Sequence, residues 1–340
     1  MIPLQARTRL AALAALLGVL AAHAGTAPGA ASSAAEGVRS ADPTPRTNRT
    51  GGDEYGVRSE YSTPRLAALP APTVVSIPLR DPGSGQATMV AEVFRPEGAG
   101  PFPVVVFSHG RAPSRAARDA LRHGASEAQL RYWLARGAAV VAPIRPGYGA
   151  TGGADAEASG SRIDAQGRCV GKPDFRKTAE AGSAAILAAV GWLRGEPWAD
   201  ARLVLLVGQS VGGLATVAAA AQHPAGVVGY VNFAGGTGGN PEHSPGRSCD
   251  PEQLTRLYAA YGRATTVPNL WIYAENDQYW GGNQPAAWHA AFAQGSGSRT
   301  TFVRVPAVPD GDGHGLSRHE ARLWARPVDG FVAGIGFATR

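Results

Sequence analysis

The stretch from Leu203 to Ala221, LVLLVGQSVGGLATVAAAA, constrains this chain more than any other. Its first five residues, Leu203-Val204-Leu205-Leu206-Val207, contain nothing polar. Such a run fits a strand buried on both faces of a parallel sheet. The Ala-rich segment beyond Gly213 has the composition of a helix. Between them stands Gly208-Gln209-Ser210-Val211-Gly212, so the chain must pass from strand to helix in one sharp turn. Strand and helix approach that closely only past small residues, which Gly208 and Gly212 supply. The turn strains the backbone at Ser210 and holds its hydroxyl out at the carboxyl end of the sheet. The Val211 amide, at the helix N-terminus, then faces any negative oxygen that forms beside that hydroxyl.

The chain has 340 residues, enough for one large α/β domain. Its formal charge of +6 comes mostly from arginine, because Lys172 and Lys177 are the only lysines. The arginines are scattered, with no basic run or interleaved aromatics, so no nucleic-acid partner is expected. Arg7 and Arg9 precede an apolar run from Leu10 to Ala22, and Ala22-His23-Ala24 is an A-x-A cleavage pattern. Residues 1–24 therefore read as a secretory signal peptide, and no membrane association is expected after its cleavage. Residues 25–72, rich in Ala, Ser, Thr, Pro, Arg and Gly, read as a flexible lead-in that mostly stays outside the core. Tyr55 to Tyr61 is its one candidate packing site. The domain proper is residues 73–340. Cys169 and Cys249 are the only cysteines, and in an exported chain a single pair reads as a disulfide.

Past Thr73 the pattern predicts a hairpin, Thr73–Leu79 with Ala87–Phe94, turning at Asp81-Pro82-Gly83-Ser84-Gly85. Further strands are expected at 103–107, 138–144, 203–207, 227–233, 269–274 and 300–305. Helices are expected at 115–136, 175–194, 251–261, 285–293 and 318–332, besides the one after Ser210. Strands alternating with helices imply α/β architecture: an open, mostly parallel central sheet with helices on both faces.

A serine at neutral pH needs a base, and the base needs an acid to orient it. Of the eight histidines, His23 lies in the signal, and His123, His223, His289 and His319 fall in or beside expected helices. His243 lies in the loop after Phe233, and His109 precedes Gly110 after a strand. His314, between Gly313 and Gly315, follows the last strand at the same sheet edge as Ser210, and it is the candidate base. Asp277 follows the strand NLWIYA at that edge and is the candidate acid. Glu275 is its rival, as are Asp310 and Asp312, which are placed to shape the turn before His314. Ser108-His109-Gly110-Arg111 after a strand offers a second main-chain donor, the Arg111 amide, beside that of Val211.

FSHG, the R-P-G-Y-G run from Arg145 to Gly149, GQSVGG, Asp277 and DGHG occur in this order. Together they resemble the α/β-hydrolase superfamily, and within it the dienelactone-hydrolase-like group. The resemblance covers Thr73 to the C-terminus. It departs in one respect, since the best-known enzymes of that group carry a cysteine where this chain has Ser210. It implies a serine hydrolase with Ser210, His314 and Asp277 as triad, Val211 and Arg111 as oxyanion donors, and no cofactor or metal. A small-molecule carboxyl ester is the expected substrate. A peptidase of the prolyl-oligopeptidase type shares the fold, but its N-terminal propeller needs more length than this chain provides. A binding protein without turnover is the remaining alternative. The loops around Cys169 and Cys249 are expected to roof the pocket, with Tyr148, Tyr279 and Trp280 as candidates for its lining.

Overall fold

The computed structural model describes residues 68–81 and 85–337. The signal, the Tyr55–Tyr61 segment, most of the lead-in and the hairpin tip at 82–84 lie outside the described residues. The strands are β1 (Thr73–Asp81), β2 (Gly85–Phe94), β3 (Phe102–Ser108), β4 (Ala139–Pro143), β5 (Ser161–Ile163) and β6 (Cys169–Gly171). They continue as β7 (Ala199–Gln209), β8 (Val227–Phe233), β9 (Gly239–Asn240), β10 (Ser244–Ser248), β11 (Asn269–Ala274) and β12 (Thr300–Val305). The main sheet has eight strands in the order β1-β2-β4-β3-β7-β8-β11-β12. β2 pairs antiparallel with both β1 and β4. Every pairing from β4 to β12 is parallel. The carboxyl ends of β3, β7, β8, β11 and β12 therefore share one edge.

The apolar runs divide their side chains between two cores, as period-2 geometry requires. Val104, Val106, Val204 and Leu206 face one layer, packed by α3 (Phe175–Trp192), α4 (Val211–Ala220), α5 (Pro251–Ala264) and α6 (Gln284–Gly295). Val105, Phe107, Leu205 and Val207 face the other, packed by α2 (Glu127–Leu134) and α7 (Ala325–Gly334). Leu69, near the end of the lead-in, packs against the second core. β5–β6 and β9–β10 form two small antiparallel ribbons inside stretches read as loops.

Two helices differ from expectation. The one expected over 115–136 is α1 (Arg115–Asp119) and α2, with a loop between. Buried Glu92 holds that loop, accepting from the Gly124 amide at 2.9 Å and meeting His123 Nδ1 at 2.7 Å. Ser126 then caps α2 by accepting the Gln129 amide. The final helix begins at Ala325, not near Arg318, and 3-10 turns occupy Gly313–Arg318 and Ala321–Leu323. Pro327 fits only the first turn of a helix, which fixes the start. Trp324 is buried against Tyr132 and Phe233, at ring distances of 4.6 and 5.3 Å, and draws the preceding chain off a helical path.

Candidate active site

Ser210 joins β7 to α4 with φ +58° and ψ −122°, a conformation that non-glycine residues avoid. Three main-chain bonds hold it there: Ser210 N donates to Phe233 O at 2.9 Å, and Leu214 N and Gly236 N donate to Ser210 O at 3.1 and 3.2 Å. The flanking glycines let the segments cross. A Cβ on Gly208 would run into Gly212 O and Thr216 Oγ1. A Cβ on Gly212 would run into the carbonyl oxygens of Ser108 and His109.

The loops after β11 and β12 bring their side chains to this turn. His314 Nε2 lies 2.9 Å from Ser210 Oγ, and His314 Nδ1 lies 3.2 Å from Asp277 Oδ2. A carboxylate opposite Nδ1 makes that nitrogen the donor and leaves Nε2 to accept the serine proton. All three residues are buried. Asp277 Oδ1 accepts the amides of Tyr279 and Trp280 at 2.8 and 3.3 Å, which aims the other oxygen at His314. The rivals are placed elsewhere. Asp312 Oδ1 accepts the amides of His314 and Gln278 at 2.9 and 2.8 Å, so it shapes the turn. Glu275 is exposed, as is Asp310, which has φ +54°.

A cleft of about 510 Å³ opens over Ser210 and His314, walled by Phe107, Pro113, Leu121, Pro241 and Tyr279 among others. Two expectations about it need correction. Tyr148 and Trp280 do not line it, because both are buried: Tyr148 lies edge-on to His109 at 4.7 Å, and Trp280 lies edge-on to His314 at 5.3 Å. Of the cysteine-bearing loops, only the one with Cys249 reaches the rim, through Pro241. Arg111 lines the cleft, and its side chain, 22% exposed, forms a bidentate pair with Asp155 at 2.7 and 2.6 Å. That hydrogen bond is the main cause holding the Asp155 carboxyl below its usual range. Among the described residues neither the Arg111 amide nor the Val211 amide is paired with a main-chain acceptor. Cys169 and Cys249 are joined by a disulfide.

Four contacts complete the site, two of them made by Tyr279 and Asp312, which the sequence already placed at the cleft and at the turn before His314. Gln209 Nε2 donates to His314 O at 3.0 Å. Tyr279 stacks on the His314 ring at 3.9 Å and 24°. Asp312 bridges the acid and base loops, as above. Beneath the His109–Gly110 loop, Arg145 and Glu157 form a buried ion pair, joined by the Tyr148 hydroxyl at 2.8 Å from Glu157. His109 is also buried, and burial pushes its pKa well below the usual value, with Arg145 adding to the effect. It is therefore neutral: Nδ1 donates to Gly110 O at 2.7 Å, and Nε2 accepts the Arg145 amide at 3.3 Å. Among the described residues no group of three His, Cys, Asp or Glu side chains is placed to hold a metal ion. No helix among them is long and apolar enough to cross a membrane.

An eight-stranded, mostly parallel sheet with a strained serine between strand and helix is the α/β-hydrolase fold. Solved structures agree. Acylaminoacyl peptidase of Pyrococcus horikoshii is similar with a TM-score of 0.51 and 14% identity, over 78% of this chain and 42% of the peptidase. The chain thus spans less than half the length of that protein. An esterase of Pyrococcus furiosus is similar with a TM-score of 0.51 and 13% identity, over 78% of this chain and 91% of the esterase. No family model and no curated protein sequence matches the chain.

Proposed function

We propose that this chain is an exported serine hydrolase that cleaves small carboxyl esters through an acyl-enzyme. One observation carries the reading: Ser210 Oγ, His314 and Asp277 form a continuous hydrogen-bonded line that ends in an open cleft. In the first half-reaction Ser210 Oγ bonds to the ester carbonyl carbon as His314 Nε2 takes the hydroxyl proton. The carbonyl oxygen becomes an oxyanion, and the amides of Val211 and Arg111 donate to it. Each donor of this kind is worth about 3 kcal/mol of transition-state stabilisation. Asp277 holds the His314 tautomer and stabilises the imidazolium. The Nε2 proton passes to the departing alkoxide, which leaves as alcohol. Water then attacks the acyl-serine with His314 as base, and the carboxylic acid departs. The Cys169–Cys249 disulfide supports export, since such bonds persist in oxidising compartments.

The test is intact-mass labelling with a fluorophosphonate, beside Ser210→Ala, followed by matched p-nitrophenyl esters and anilides. One adduct that maps to Ser210 and vanishes in the variant, with esters turned over faster, supports the reading. Faster anilide cleavage would make the chain a peptidase. A folded protein with no adduct and no turnover would leave a binding protein on this fold.

A further inference from the structure

We propose that Arg145 is a positioning residue that fixes the Gly110–Arg111 peptide as an oxyanion donor, through a buried ion pair with Glu157. The inference rests on the ester-hydrolase reading above and adds a part to it. Arg145 is buried, and its guanidinium spreads over five acceptor atoms on four residues. Nε meets Glu157 Oε1, and Nη2 meets Glu157 Oε2 at 3.2 Å. Nη1 donates to Ser108 Oγ at 3.0 Å and to His109 O at 2.5 Å, while Nη2 also faces Gly110 O at 3.4 Å. The planar fork of an arginine can serve these directions at once, whereas a lysine ammonium cannot.

The consequence lies in peptide geometry. In a trans peptide the carbonyl and the following N–H point in opposite directions. Drawing Gly110 O toward Arg145 and His109 Nδ1 therefore turns the Arg111 N–H the other way. Gly110 itself adjoins the serine turn: a Cβ built on it would lie 3.4 Å from Ser210 Cβ and collide with the Gln209 side chain. Asp155, two residues before Glu157, grips the Arg111 guanidinium. Residues 145–157 thus hold the donor peptide from its carbonyl side and from its side chain. Glu157 is itself held, accepting from the Tyr148 hydroxyl, while its carbonyl accepts from Thr178 Oγ1 at 2.9 Å. A buried pair of this kind is a poor source of net stability, which suits a role in orientation.

Arg145→Lys is the direct test, read in three ways: ester kinetics, inhibition by a trifluoromethyl ketone that forms an oxyanion on Ser210, and a crystal structure. The expected result is kcat lower by about 10- to 100-fold, the range of one weakened or lost oxyanion donor. KM changes little, and the ketone Ki rises by the factor that kcat/KM falls. The crystal structure shows the Gly110–Arg111 peptide rotated. Glu157→Gln, nearly isosteric, gives the same pattern in weaker form and carries the comparison if the lysine variant does not fold. Tyr148→Phe, which removes one bond to Glu157, has the smallest effect. A fall in kcat with unchanged ketone Ki would overturn the proposal. So would an unrotated peptide in the crystal structure, whatever the turnover. Failure of the ester-hydrolase reading is distinct, because it is seen in the unmodified protein as absence of Ser210 labelling.

Discussion

Gln209 donates its side-chain amide to the main-chain carbonyl of His314 across 3.0 Å. The residue just before the proposed nucleophile thereby holds the loop that carries the proposed base. β7 and the segment after β12 are not neighbours in the sheet, so this bond ties two separately supported segments to one distance. Gln209→Leu keeps approximate volume and leaves the His314 carbonyl without its donor. An unsatisfied buried polar group costs about 1–3 kcal/mol. The loop can relieve that cost by shifting toward water, which would lengthen the Ser210–His314 contact. The expected outcome is kcat lower by about tenfold, or roughly 1.4 kcal/mol in the barrier, with KM nearly unchanged. Steady-state kinetics on a p-nitrophenyl ester checks it, and a normal kcat would show that the bond is incidental.

Ser210 stores backbone strain in order to present its hydroxyl. Its φ of +58° is comfortable only for glycine. Ser210→Gly removes that strain, which is of order 1–3 kcal/mol, and forfeits one hydrogen bond to His314. Glycine also has more freedom to lose on folding, worth about 1 kcal/mol in the opposite direction. The strain is the larger quantity, so the glycine variant should melt higher than Ser210→Ala, which keeps the strain and also loses the bond. Differential scanning calorimetry of the two variants decides it. Equal melting temperatures would mean that the surrounding turn had relaxed.

The fold and much of the site could be read from residue pattern alone, for a definite physical reason. Continuous apolar runs such as Leu203–Val207 report burial on both faces. The glycines around Ser210 and His314 report tight main-chain turns at the ends of strands. The order of strands then places Ser210, Asp277 and His314 at one sheet edge, where the structure brings them into hydrogen-bonding distance. Side-chain bonds between distant loops leave no such mark. Gln209 with His314, Asp312 with Gln278, and Arg145 with Glu157 involve ordinary polar residues in stretches without periodicity. Tyr148 and Trp280 were misplaced for a related reason: a large aromatic after a strand fits either a cleft wall or the packing behind it. Here both lie behind, supporting His109 and His314. The 115–136 segment lost its single helix to buried Glu92, whose partners lie on another element.

His289 gives the protein an acid-sensitive element away from the cleft. Its ring packs against Trp271 and Phe302 at 5.4 Å from each, and burial pushes its pKa from 6.5 down to about 4. Above pH 6.5 it is neutral in both folded and unfolded chains and favours neither. Between 6.5 and about 4 the unfolded chain takes up a proton that the folded one refuses, so stability is lost as pH falls through that window. Below about 4 both forms are charged and the loss levels off. His289→Gln removes the titrating group. The melting temperature of the unmodified protein should therefore fall more steeply than that of the variant as pH is lowered across this window. Parallel slopes would mean that the ring is protonated in place.

The Cys169–Cys249 disulfide spans 80 residues and joins β6 to the segment leading into α5. A cross-link of that length restricts the unfolded chain enough to stabilise by roughly 4 kcal/mol. What it does not join matters equally. Ser210, Asp277 and His314 sit on loops anchored by β7, β11 and β12, and none of the bonds that align them involves either cysteine. The double variant Cys169→Ser/Cys249→Ser should therefore melt well below the unmodified protein, yet keep nearly the same kcat at temperatures where it remains folded. The rim is the exception. The segment between β8 and Cys249 carries Pro241 to the cleft, and Cys249 N anchors it by donating to Gly238 O at 2.8 Å. Loosening it should raise KM for bulky esters more than for acetate esters. Thermal melts with and without reductant, combined with kcat and KM for two acyl sizes, separate these effects. A kcat that collapses together with the disulfide while the protein is still folded would show that the covalent link, not the sheet edge, holds the three side chains in line.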